Sequence, residues 1–309
     1  MSAASLVPRF ARQWLDSWSG TEAMDGESGV DWPRAVPFLA IHLACLGVLW
    51  VGWSPVAVGV ALALYLVRMF AITAAYHRLF AHRAFRTSRA MQLALAVLGA
   101  SAVQRGPLWW ASHHRVHHCD SDRPTDPHSP RRRGLLHSHV GWFLERRHFR
   151  ARLELVPDLA RYPELRFLDR FALLVPAALA VALFGLGAAL EAWWPALGTS
   201  GLQLLVWGFA ISTVALYHAT FTINSLAHRL GARRFETRDD SRNNVFLALL
   251  TLGEGWHNNH HHYPASARQG FRWWELDLSY FALRILAGLG LVWDLRPVPA
   301  RVLRARRAR

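Results

Sequence analysis

The chain carries 17 histidines in 309 residues, and most of them are bunched into four groups. These are His77-Arg-Leu-Phe-Ala-His82; His114-Arg-Val-His117-His118, with His113 just before it; Asn224-Ser-Leu-Ala-His228; and His257-Asn-Asn-His260-His261, followed by His262. Neutral imidazole is a borderline ligand that suits Fe, Zn, Cu and Ni. Residues three and four apart share one face of a helix, so His114, His117 and His118 can point one way, as can His257, His260 and His261. Asn224 and His228 are one turn apart. His77 and His82 lie about 140° apart round a regular helix. They can share a metal site only where the helix ends or bends between them, or else they serve different metals. A mononuclear site takes three or four protein ligands, and nine clustered histidines exceed that, which points to two metals. No carboxylate recurs within the groups at ligand spacing, which argues against the Glu-x-x-His centre of ferritin-like bundles.

A single histidine on an apolar face is ordinarily a packed, hydrogen-bonded residue, and His42 and His218 are read that way. His128, His137, His139 and His148 are assigned to polar packing or to the outer shell of the metals. His113 and His262 extend two of the groups and are left outside the site.

The positioning elements follow from the apolar runs. A membrane-crossing helix needs about 20 residues to span roughly 30 Å of hydrocarbon. Four runs qualify, at about 35–53, 55–75, 171–193 and 202–223. Shorter runs at 91–103 and 281–293 read as helices on or in the interface. Arg is dense between residues 77 and 170, and the tail 296–309 carries six, whereas the connectors near Gly52–Pro55 and Pro195–Gly201 carry none. By the positive-inside rule the histidine-rich loops and both termini face the cytoplasm, with Trp53, Trp193 and Trp194 at interface depth. The expected architecture is all-α: four transmembrane helices under a helical cytoplasmic cap that holds a histidine-rich two-metal site, in a bacterial cytoplasmic membrane.

Composition agrees. Hydrophobic residues make up 52% and charged residues 18% of the chain, values between those of a soluble enzyme and a bundle buried in lipid. The net charge of +14 comes entirely from Arg, and beside such apolar runs it suits an anionic membrane surface better than nucleic acid. Cys45 and Cys119 make no disulfide framework. Residues 1–34 mix Arg with Asp and Glu and read as a soluble, partly disordered arm rather than a signal peptide.

These residues resemble the membrane fatty acyl-CoA desaturases, in particular the Δ9 (stearoyl-CoA-type) branch. The likeness runs through HRLFAHRAF at 77–85, HRVHH at 114–118, TDPHS at 125–129, RRG at 132–134, SHVGW at 138–142, NSLAH at 224–228 and GEGWHNNHHHYP at 253–264, and covers about 35–275. It implies that His77, His82, His114, His117, His118, His228, His257, His260 and His261 bind two Fe2+ ions, with Asn224 as an indirect ligand through water. It implies that O2 and two electrons introduce a cis double bond into a saturated acyl chain. The division is then a cytoplasmic arm (1–34), a membrane desaturase domain (35–295) and a basic tail (296–309). The Arg-Asp pair that precedes the second box in the animal enzymes is here Ser112 and His113. A CoA thioester is therefore one carrier among three, with acyl-lipid and acyl-carrier protein as the others. Arg132 and Arg133 are candidates for the carrier's phosphate, Trp142 for the tunnel wall, and Ala61 and Tyr65 for its floor. No CxxC pair is present for an in-chain redox centre, so electrons are expected from a separate ferredoxin, rubredoxin or cytochrome b5-type protein with its reductase. Rival readings are a related di-iron hydroxylase or ketolase, and a metal transporter or sensor. The last sits poorly with ligands gathered outside the spans rather than near the bilayer midplane.

Overall fold

The computed structural model describes residues 9–21 and 26–304. Among the described residues, four helices are long and apolar enough to cross a membrane, Trp32–Val51, Pro55–Ala81, Leu174–Trp193 and Gly201–His228, and two shorter apolar helices are Arg89–Ala100 and Leu278–Gly288. The chain is thus a mostly helical membrane protein, as its apolar runs predict. Local chemistry sets the boundaries. The first span starts at Trp32 because Asp31 caps it, its carboxylate accepting from the Arg34 amide at 3.2 Å with proline in the first turn. The second starts at Pro55 under Ser54, whose hydroxyl accepts from the Ala57 amide at 3.1 Å.

The second and fourth spans run past their expected ends at 75 and 223 to Ala81 and His228. Helix therefore continues out of the apolar stretch and carries histidines with it. The winding also changes. From Ala71 to Ala81 the second span is π-helical and buried throughout. In this i→i+5 winding, typical of functional sites, the His82 amide donates to the His77 carbonyl at 3.1 Å. Residues five apart then come nearly onto one face, which is how His77 and His82 are brought together.

Leu49, Trp50, Val181, Phe184, Trp193 and Trp194 are exposed on the spans and form the surface that lipid would cover. Arg68, fully buried in the second span, is satisfied by Thr213 Oγ1 at 2.7 Å, by Ser212 Oγ and by the Ser101 carbonyl at 3.2 Å. It ties the second span to the fourth. Tyr76 and Phe80 at the end of the second span pack with Phe85, Leu108, Leu165 and Leu283 in the main core. Arg86–Thr87 pairs antiparallel with Val292–Trp293 and pins the exit of the second span to the C-terminal segment.

The described residues of the N-terminal arm are ordered against the cap. Arg9–Leu15 is helical, and Trp18 Nε1 donates to Asp169 at 2.9 Å. Asp169 also accepts from the amides of Leu108 and Trp109 at 2.9 and 2.8 Å, at the N-terminus of the helix Pro107–Asp120 that carries the second histidine group. Of the basic tail, Ala300–Leu303 is helical, and residues 305–309 lie outside the described residues.

Candidate metal centre

Five imidazoles, of His77, His82, His114, His118 and His260, form one group, and four, of His117, His228, His257 and His261, form a second; in each, one ligand atom per residue lies within 4.8 Å of all the others. The elements explain the convergence. His77 and His82 leave the second span on its π turn, and His228 ends the fourth span. His114, His117 and His118 ride on Pro107–Asp120, where the i, i+3 and i+4 spacing splits them between the two groups. His257, His260 and His261 divide likewise on the short helix His257–His262. Gly255 holds the loop before that helix, since a Cβ there would collide with the backbone nitrogen of Ala248.

Facing nitrogens are close. The Nε2 atoms of His77 and His260 are 3.0 Å apart, of His82 and His114 2.8 Å, of His118 and His260 2.9 Å, of His228 and His257 3.0 Å, and of His117 and His261 3.4 Å. Two nitrogens each about 2.1 Å from one ion, at angles of roughly 90–110°, would lie about 3.0–3.4 Å apart.

Four carboxylates stand behind the rings, and their ligand-orienting part was not legible from spacing. Nδ1 of His117 donates to Asp126 at 3.1 Å, of His228 to Asp122 at 3.1 Å, of His261 to Asp239 at 2.7 Å and of His77 to Glu254 at 2.5 Å. Such bonds fix the tautomer and aim the opposite nitrogen. Glu254 is also paired with Arg78 at 3.0 Å. Burial alone would raise Glu254, but the charges of His77 and Arg78 outweigh it and hold the carboxyl at about 2. Burial likewise works against Asp122, Asp126 and Asp239, and the imidazoles facing them hold all three well below the usual carboxylate range.

The residues fit a bound cation. Burial pushes His82, His114, His118, His257 and His260 well below the ordinary histidine value, with neighbouring imidazoles adding to it, and pushes His261 down to about 4 against the pull of Asp239. These rings are neutral and offer lone pairs. His117 is raised, because Asp126, with Asp239 and Asp122 behind it, outweighs the burial that lowers it. The ionised Asp122, Asp126 and Asp239 put negative charge behind the second group, which an ion held by its rings offsets. An all-imidazole donor set with carboxylates behind it suits Fe, Zn or Cu rather than Mg or Ca.

Other expected residues fall in different places. Asn224 lines a cavity of about 210 Å³ together with His77, His114, His117 and His257, and Trp142 lines it too. Arg132 and Arg133 do not line it. Arg132 donates to the Asp122 carbonyl at 3.1 Å and Arg133 pairs with Glu145 at 3.2 Å. Ala61 and Tyr65 lie further along the second span outside the lining, and the Tyr65 hydroxyl donates to the Leu250 carbonyl at 2.6 Å. His113 bonds the Trp109 carbonyl at 3.0 Å, His262 stacks on Phe235 at 4.1 Å, and His128 sits 4.2 Å from the ring of His117 beside Asp126.

A family model described as fatty acid desaturase matches residues 51–287. The chain is 35% identical to the sn-1 stearoyl-lipid 9-desaturase of Anabaena variabilis over 89% of its own length and 97% of that protein's. It is 37% identical to an acyl-CoA 5-desaturase of Anemone leveillei, over 94% of this chain and 84% of the relative. It is 33% identical to a hex-5-enoyl acyl-carrier-protein acetylenase of Moorena producens, over 89% and 87%.

Proposed function

As this chain belongs to the fatty acid desaturase family, we propose that it is an O2-dependent desaturase that introduces a cis double bond, Δ9-like in position, into a saturated acyl chain. Per turnover a CH2–CH2 pair, one O2, two electrons and two protons become CH=CH and two waters. His77, His82, His114, His118 and His260 are the ligands of one iron, and His117, His228, His257 and His261 of the other, with Asn224 as the indirect ligand. Iron bound there would supply the O2 activation needed to break an unactivated C–H bond.

One observation carries this reading: both imidazole groups open onto the same cavity, and the rest of its wall is largely apolar. Phe38, Ile72, Trp110, Trp142, Phe143 and Phe221 face it beside His77, His114, His117 and His257. Such a wall holds a methylene chain by exclusion from water, and the choice of carbon pair is then a matter of where the chain is held. Gln104 donates to Thr220 at 2.8 Å across the lining and adds a polar fixed point to it.

A separate groove, lined by His118, Arg123, Glu236, Arg238 and His261 among others, reaches one imidazole of each group from outside. It is the place for a separate ferredoxin, rubredoxin or cytochrome b5-type donor to approach. The density of Arg in the loops around the cages supports a cytoplasmic side for them and for both termini.

The test is gas chromatography–mass spectrometry of lipids from cells with and without the gene, with double-bond positions mapped. Feeding experiments in lysate separate CoA, carrier-protein and lipid substrates. A new double bond that depends on the gene is expected. An added hydroxyl or keto group, or no change in any acyl pool, overturns the reading.

A further inference from the structure

The turn between the helices Arg89–Ala100 and Pro107–Asp120 puts a cation on the cavity wall. That cation is Arg105, whose φ of 65° lies in the left-handed region that favours glycine, as does the φ of 60° at Val103. Other groups hold this strained turn in place. The Tyr217 hydroxyl donates to the Val103 carbonyl at 2.7 Å and the Tyr76 hydroxyl to the Arg105 carbonyl at 3.2 Å. Gly106 lets the turn close on Asp169, whose backbone a Cβ would meet at 2.2 Å. Gln104 and Arg105 are thereby fixed in the cavity lining.

Arg105 is short of partners. Its guanidinium lies 3.9 Å from the ring of Phe149 and 4.8 Å from that of Trp109. It donates to the Phe149 carbonyl at 3.5 Å and to the Phe143 carbonyl at 3.4 Å, both long for such bonds. A guanidinium has five N–H donors, so most of them lack a hydrogen-bond partner among the described residues. No carboxylate among those residues pairs with it. Asp169 and Asp31 attract it only from a distance. Asp169 is engaged by Trp18 and the amides of Leu108 and Trp109, and Asp31 by Arg34 at 2.9 Å. Burial lowers Arg105 to about 9, and Arg34, over the same Phe149 ring at 5.5 Å, adds to it. By contrast Arg78 has two carboxylates and Arg68 two hydroxyls close at hand. A desolvated cation without an anion is costly, and the cavity gives an anion access to this one.

We propose that Arg105 is the anion site of the cavity and binds a phosphate of the molecule that carries the acyl chain. The proposal rests on the desaturase reading. In a phospholipid, in acyl-CoA and in acyl-carrier protein the acyl carboxyl is an uncharged ester or thioester, and phosphate is the anion that all three share. The planar fork of a guanidinium matches phosphate oxygens with paired donors. Arg132 and Arg133 do not compete for this part, since the Asp122 carbonyl and Glu145 engage them outside the cavity. Gln13 and Ser17 of the N-terminal arm line the same cavity, and Arg34 donates to the Ser19 carbonyl, so the arm brings further polar groups to this wall. A head held at Arg105 sets how many carbons separate it from the imidazoles, and so bears on which bond is oxidised.

The test is calorimetric binding to the full-length, iron-loaded protein in a maltoside detergent, which contains no phosphate. The probes are two matched pairs: 1-stearoylglycerol with and without a 3-phosphate, and stearoyl-pantetheine with and without a 4′-phosphate. The wild type should bind the phosphorylated member of one pair about tenfold or more tighter, the worth of a hydrogen bond to a charged group. An advantage in the glycerol pair names a lipid as the source of the phosphate, and one in the pantetheine pair names CoA or carrier protein. Arg105→Gln should remove the advantage, so that the two members bind alike, and Arg105→Lys should keep part of it. Equal affinities within both pairs in the wild type overturn the proposal, whether or not the variants fold. An advantage that survives in Arg105→Gln also overturns it, including the case where both members weaken together, which marks a packing role. A wild type that shows the phosphate advantage but makes no double bond in either pair, when reduced by a plant-type ferredoxin and its reductase, overturns the desaturase reading and leaves the anion site standing.

Discussion

His261 donates its Nδ1 proton to Asp239 across 2.7 Å, and the opposite nitrogen of the ring then faces His117 at 3.4 Å. Asp239 is not a ligand in this arrangement but decides which nitrogen can be one. Asp239→Asn removes the charge and lets the amide donate, which favours the wrong tautomer. Iron retained after dialysis should fall towards one ion per chain, and desaturation by about 10–100-fold, the usual cost of losing such a partner. Metal analysis by mass spectrometry checks the first outcome and product analysis the second.

His118 and His261 contribute to different groups and stack on each other with centroids 4.6 Å apart. His118→Ala and His261→Ala should each abolish desaturation while the protein still inserts into membrane. Wild-type protein made with adequate iron should hold about two irons per chain, and a clean preparation fully active with one would remove the two-metal reading. Zinc in overexpressed protein would not, because affinity order alone favours it over iron.

The histidine boxes and the four spans were legible because each depends on short spacing or a long apolar run. The π winding of 71–81 was not, since nothing in Ala-Ile-Thr-Ala-Ala-Tyr marks it; the five-residue spacing of His77 and His82 posed the problem that it solves. The carboxylates behind the rings were hidden by distance along the chain. Asp122 meets His228 across 106 positions, and Glu254 meets His77 from the far end of the protein. Glu254 and Asp126 do stand inside the matched stretches GEGWH and TDPHS, so their types were in view but not their roles. His42, His218 and His139 each read singly as packed residues, and only the fold aligns them.

Arg78 is buried with Asp277 at 2.9 Å and Glu254 at 3.0 Å, and donates to the Ala267 carbonyl at 2.8 Å. Removing the cation strands two buried acids. Arg78→Ala should destabilise the protein by about 3–5 kcal/mol, the usual cost of breaking a buried pair from one side. Because Glu254 also holds His77, the variant should lose iron from the first group before the second. Denaturant midpoints and metal content measured on the same sample check both outcomes.

Metal-free protein should be less stable in mild acid. Burial lowers His82, His114, His118, His257 and His260, and brings His261 to about 4. The unfolded chain takes up protons on these residues near pH 6.5, while the folded one does not until lower pH. The unfolded state then binds more protons, so stability falls as pH drops from about 6.5 towards those lower values. The depressed carboxylates push the same way below about pH 4, where the unfolded acids protonate first. Iron should steepen the acid loss further, because protons compete for the same nitrogens. Melting in detergent at pH 7.5 and 5.5, with and without chelator, should show a lower midpoint at pH 5.5 in both forms. A flat profile would mean that these rings take up protons in the folded chain at the same pH as in the unfolded one.

Chain-length choice should be set where the cavity meets the second span. Ile72 lines the cavity, whereas Ala61 and Tyr65 lie beyond it in the same helix. On a regular helix Ala61 would lie about 24 Å from His77 and Tyr65 about 18 Å, and the π winding of 71–81 shortens both. Ile72→Trp narrows the wall close to the imidazoles, and the overpacking this forces cannot be relieved by solvent. It should shift products towards shorter chains more strongly than Ala61→Phe, which acts only on chains that reach past Tyr65. Product profiles from an equimolar mixture of acyl substrates of graded length decide this. If Ile72→Trp leaves the profile of the wild type, the acyl chain does not run along this wall.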